Sequence, residues 1–142
     1  RGQGTFVGAM ADELDACKPL KVADPGEKVL LGWALSGMAD EVRSHYPVID
    51  LKTDYSTEIP VPPINGLLTG EVAGVMLASA QFIDTAALAW MAQEMGYVMP
   101  TFAGEPVPPL SACENYRRAE IIVSATEAMQ QQLIKIMRES KV

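Results

Sequence analysis

The chain is 142 residues long, with 11 Lys and Arg against 18 Asp and Glu and a formal net charge of −7. That length is one domain's worth, and a composition of 49% apolar against 20% charged residues excludes a disordered chain. Residues 53–116 contain no Lys or Arg and seven acids, Asp54, Glu58, Glu71, Asp84, Glu94, Glu105 and Glu114. Such a stretch repels phosphate backbones, so nucleic acid is excluded as the partner of the body of the domain.

In chain order, the apolar spacing predicts an all-α fold: three long helices and one short N-terminal helix, joined by Pro-rich extended straps. After a flexible start at 1–4, Phe6, Met10, Leu14 and Cys17 recur at helical intervals, and Pro19 ends the segment. Asp24-Pro25-Gly26-Glu27 has the form of a helix start. Leu31, Leu35, Met38 and Val42 follow as an apolar stripe that stops before Pro47. A third helix is predicted from Thr69 to about Met95, apolar nearly all round, with Gly96 beyond its end. Only Gln81 and Asp84 interrupt its apolar middle. The fourth begins at Ser111, with Glu114 completing a capping box. It carries Ile122, Met129, Leu133 and Ile136 on one face and ends among Lys135, Arg138 and Lys141.

Two connectors, 47–68 and 97–110, separate these helices within a single domain spanning 1–142. Each holds a polyproline block, Pro60-Val61-Pro62-Pro63 and Pro106-Val107-Pro108-Pro109. Such segments have no internal hydrogen bonds and little entropy left to lose, so they dock cheaply on apolar surfaces. Val61 and Val107 are expected to face inward. The segment from Val72 to Ala92 has the length of a membrane span, but the central Asp84 and several Ala, Ser and Thr residues make insertion poor, so no span is expected.

No catalytic constellation is visible. There is one histidine, His45, at the end of the second predicted helix, and neither a zinc triad nor a phosphate-cradling Gly-rich loop can be drawn. Cys17 and Cys113 are too far apart for a Cys-x-x-Cys site; they are candidates for a disulfide across the ends of a bundle, or for two buried thiols. The expectation is a non-enzymatic, acidic helical protein without cofactor or metal. It would associate with itself or with another protein through Ile122, Met129, Leu133, Ile136 and the two strap valines. Two other readings stand beside it: a small extracytoplasmic binding or inhibitor protein clamped by Cys17 and Cys113, and an accessory subunit of a larger enzyme. The compartment is not specified; Arg1 in place of Met reads as a processed or excised start, compatible with an extracytoplasmic location or an assembled particle.

Overall fold

The computed structural model describes residues 4–11, 13–22, 24–56, 65–78, 82–112, 115, 117 and 120–140, with only the backbone for 82–86, 88 and 110. Inside each of the last three predicted helices lies a buried strand. β3 is Val29–Leu31, β5 is Gly74–Leu77 and β6 is Ile121–Ser124, and every residue of the three is buried. A strand covered on both faces has no need of polar alternation, so it reads as a short continuous apolar run. Over three or four residues such a run fits a helical period as well as an extended one.

With β4, Val48–Asp50, these strands form one sheet in the order β4-β3-β5-β6. β3 is parallel to both β4 and β5, pairing Leu31 with Asp50 on one side and with Met76 on the other. β6 runs antiparallel to β5. The chain leaves β3 through a 3-10 helix, Trp33–Met38, and the short helix α1, Ala39–Arg43, before returning as β4. It then crosses to the far side of β3 to enter β5, passing through α2, Gly66–Thr69. The helix α3, Phe82–Glu94, joins β5 to the remainder, and α4, Glu127–Glu139, follows β6.

Alternate strand residues feed two separate cores. Val29, Leu31, Met76 and Ile122 pack with Leu35, Ala39 and Val42 and with Met129, Leu133, Ile136 and Met137 of α4. Leu30, Val75, Leu77, Ile121 and Val123 pack on the other face with Leu67, Ala89, Ala92 and Tyr97. The result is a sheet with helices on both faces, a mixed α/β architecture that replaces the all-α bundle. Gly74 is where α4 crosses closest: a Cβ there would lie 2.9 Å from the Met129 Sδ and 3.5 Å from the Leu133 Cδ1.

The first predicted helix is also replaced. Phe6–Val7 (β1) pairs antiparallel with Lys18–Pro19 (β2) around a single 3-10 turn at Leu14–Ala16. Phe6, Met10 and Leu14 are exposed, so their spacing marks no buried stripe. The Asp24-Pro25-Gly26-Glu27 segment starts no helix; the Gly26 N–H instead donates to the Gly70 carbonyl at 3.0 Å.

The segment 47–68 holds β4 and the start of α2, while its polyproline block, Val61 included, lies outside the described residues. In 97–110 the chain runs beside β6, where Val98 and Ser124 exchange both backbone hydrogen bonds at 2.9 Å. Val107 is half-buried against the core on the α3 side. No helix among the described residues is long and apolar enough to cross a membrane.

Candidate functional site

The three parallel strands β3, β4 and β5 all end at the same edge of the sheet. In open α/β sheets ligands bind outside the carboxyl ends of the strands, where the chain switches direction across the sheet. That switch occurs here, because β4 and β5 flank β3 on opposite sides. The edge is formed by Gly32 to Ser36 after β3, Asp50 to Tyr55 after β4, and the start of α3 after β5.

Gly32 lets two backbones meet closely at this edge. Its N–H donates to the Met76 carbonyl at 3.0 Å, and a Cβ in its place would lie 3.3 Å from the same oxygen. The chain then turns into the 3-10 helix, which places the Ser36 hydroxyl 2.5 Å from Asp50 Oδ2. The other Asp50 oxygen accepts the Lys52 N–H at 2.9 Å. The Asp50 carbonyl accepts from Thr53 and Asp54, closing a turn, and its own N–H donates to Asp54 Oδ2 at 2.9 Å. Arg43 stands 3.9 Å from that same Asp54 oxygen.

Asp50 is the anchor of this turn and is buried. Burial pushes its carboxyl up, but hydrogen bonds from Ser36, Lys52 and Thr53, together with the Arg43 charge, more than offset it and hold the group below the usual aspartate value. An ionised carboxylate here therefore fixes the loop after β3 to the loop after β4. Beside this frame Trp33 and Tyr55 are exposed, as is Lys52.

The described residues do not by themselves fit a metal ion. No three His, Cys, Asp or Glu side chains among them come together as a cradle, and the Asp50 and Asp54 oxygens are engaged by the protein's own donors. What the edge does offer is an exposed ammonium group, exposed hydroxyl and aromatic side chains, and the start of a 13-residue helix. The N-terminus of such a helix carries free N–H groups and a positive dipole end, which favour an anion.

The residues singled out by the sequence fall mostly elsewhere. Ile122, Met129, Leu133 and Ile136 are buried in the core between α4 and the sheet, covered by the chain itself. Cys17 is a free thiol whose Sγ lies 3.8 Å from the Glu13 carbonyl, and Cys113 lies outside the described residues. His45 is exposed just after α1, its ring nitrogens 3.4 Å from the Gln132 side-chain nitrogen. Gln81 is outside the described residues, whereas Asp84 is the third residue of α3, at the candidate edge. Ser36, Asp50, Trp33 and Tyr55 escaped sequence reasoning. The available signal was positional: Trp33 and Ser36 follow the apolar run Val29-Leu30-Leu31, and Asp50 and Tyr55 follow Val48-Ile49, each within a few positions.

No protein-family profile and no curated protein matches the sequence. Solved structures do match the fold. An IMPase/NADP phosphatase complexed with Mg2+ and phosphate superimposes with a TM-score of 0.59 at 13% identity, over 96% of this chain and 47% of that one. A staphylococcal IMPase-I complexed with products gives 0.61 at 14% identity, over 96% and 47%. An inositol monophosphatase from Zymomonas mobilis gives 0.58 at 16%, over 85% and 47%. The chain thus spans about half the length of each of these structures. The expectation of a non-enzymatic helical assembly protein is overturned: the chain is built on an α/β sheet, and the fold it shares is that of phosphatases. At these identities the likeness establishes the fold, and the chain has the three-layer α/β architecture found in about half of an inositol monophosphatase-like structure.

Proposed function

We propose that this chain contributes the phosphate-ester-binding part of a phosphomonoesterase, with the ligand seated at the carboxyl edge of β3, β4 and β5. One observation carries the reading: structures sharing this fold over most of the chain are phosphatases, and two of those compared are described with phosphate or reaction products bound. The chemistry of the edge agrees with it. The start of α3 presents backbone N–H donors and a dipole to a phosphoryl group. Lys52 supplies a positive charge on the neighbouring loop. The Ser36–Asp50–Lys52 frame holds the loops after β3 and β4 at fixed spacing, so the donors are positioned before a ligand arrives.

Asp84 takes the chemical role in this proposal. It is the only acid between Val72 and Gln93, and it sits in the first turn of α3. Its carboxylate would accept the proton of a water whose oxygen bonds to phosphorus as the ester P–O bond breaks, the leaving alkoxide taking its proton from solvent.

The test is a binding map. Backbone amide shifts of the labelled chain are followed on adding inorganic phosphate, then inositol monophosphate, each with Mg2+ present. Shifts converging on 32–36, 50–55 and 82–85, with phosphate release lost in Asp84→Asn, support the reading. Shifts scattered elsewhere, or none at millimolar ligand, overturn it.

A further inference from the structure

The chain has two asparagines, Asn65 and Asn115, and both are exposed. Only Asn65 precedes a glycine; Asn115 precedes Tyr116. Asn65 is the residue before α2, and its side-chain amide makes no capping hydrogen bond. Gly66 opens the helix, where a backbone N–H has no intrahelical acceptor. Its nitrogen makes no hydrogen bond among the described residues, whereas its carbonyl accepts both the Thr69 hydroxyl and the Val72 N–H at 3.2 Å.

We infer that Asn65-Gly66 is a site of spontaneous covalent modification, at which the exposed side-chain amide is lost as ammonia through a cyclic imide. The inference is independent of the phosphate-ester reading. The Gly66 nitrogen gives its proton to hydroxide and bonds to Asn65 Cγ. The Cγ–Nδ2 bond then breaks, and the departing nitrogen takes a proton from water and leaves as ammonia. Water next adds to one of the two imide carbonyls. Breaking the bond from the Gly66 nitrogen to Cγ leaves an ordinary aspartate. Breaking its bond to the backbone carbonyl carbon leaves an isoaspartate, with the chain running through the side chain. Either product exchanges NH for O and adds one negative charge to the net of −7. Glycine favours the attack because no Cβ stands beside the nitrogen; the tyrosine after Asn115 carries one.

In the closed turn Asn65 has a helical ψ of −8°, Gly66 is buried, and the Leu68 N–H donates to the Asn65 carbonyl at 2.8 Å. The turn must therefore open before the nitrogen reaches Cγ. α2 is only four residues long, and a helix of one turn has little stability of its own, so this opening is local and leaves the sheet folded. The two products differ in consequence. Aspartate is a favoured residue before a helix. Isoaspartate inserts a methylene into the backbone just ahead of Leu67, which is fully buried with Val75 and Tyr97.

The experiment incubates the folded chain in mildly alkaline buffer and cleaves it after glutamate, which releases 59–71 with Asn65 and 115–120 with Asn115. Peptide 59–71 should divide, by mass and retention time, into aspartate and isoaspartate forms while 115–120 stays intact. Asn65→Gln, whose longer side chain closes a less favoured ring, should lose the conversion and keep the urea midpoint. The isoaspartate form, separated by ion exchange, should unfold at lower urea than fresh protein, and Asn65→Asp should not. If 59–71 converts in denaturant but not in the folded chain, the turn shields the amide and the proposal is overturned. Equal conversion of 115–120, or conversion that persists in Asn65→Gln, overturns it as well. An isoaspartate form as stable as fresh protein refutes the consequence drawn for Leu67.

Discussion

Replacing Ser36 with alanine tests whether the candidate edge is held by the buried Asp50 carboxylate. The substitution removes a hydroxyl that donates to Asp50 Oδ2 at 2.5 Å and leaves the Lys52 N–H as a remaining donor at 2.9 Å. Hydrogen bonds to charged groups contribute about 1.5–3 kcal/mol, and a turn at the rim of the sheet belongs at the low end, about 1.5 kcal/mol. For a chain of this size that lowers the thermal midpoint by roughly 3–6 °C. The pH dependence gives the sharper signature. The folded pKa of Asp50 lies below its ordinary value, so the carboxylate stabilises the fold above about pH 3.9, and that contribution is lost as pH falls through the lowered folded value. Ser36→Ala takes away one of the influences that lower this pKa. The deficit of the variant should therefore be full at pH 7 and shrink only as pH falls below about 4, through the lowered folded value, where the carboxyl becomes neutral. Urea midpoints followed by far-ultraviolet circular dichroism from pH 7 down to about pH 2 measure it. A deficit that stays constant over that whole range, or none at pH 7, refutes the assignment of Asp50 as an ionised anchor.

Two further predictions follow from the packing. Leu133 is fully buried between α4 and the sheet, so Leu133→Ala should cost about 2–5 kcal/mol in chemical denaturation without changing the particle's mass in sedimentation. A drop in sedimentation coefficient with stability retained would contradict its place in the interior. The Tyr97 hydroxyl is buried with no hydrogen-bond partner among the described residues, and burial pushes its pKa up, so Tyr97→Phe should be neutral or stabilising by about 1 kcal/mol, read as a change in urea midpoint. A loss of more than that amount would mean the hydroxyl has a partner.

The parts of the fold visible in the residues are those whose signal is local. The α4 stripe Met129, Leu133, Ile136 and Met137 is helical and buried as its spacing requires, and Thr126 caps that helix by accepting the Met129 N–H at 3.2 Å. The C-terminal half of the third predicted helix survives as α3, and Gly96 beyond it has φ +93°, the left-handed conformation expected at a helix end. Of the candidate edge the residues show only that one acid, Asp84, interrupts an apolar stretch; its place at the start of α3 depends on a strand that no one residue announces.

Length, apolar content and the cation-free acidic middle are settled by the residues alone, and so is the amphipathic stripe of α4. Strand identity and site composition were decided in three dimensions. Val29-Leu30-Leu31 and Gly74-Val75-Met76-Leu77 carry no period of two because helices cover both of their faces, and only pairing of Leu31 with Asp50 and Met76 makes them extended. Ser36 and Asp50 are 14 residues apart and ordinary in composition; they become partners because β3 and β4 are parallel and end together. The carboxyl edge exists only once the strands are side by side, so its chemistry belongs to the topology rather than to any segment of the chain.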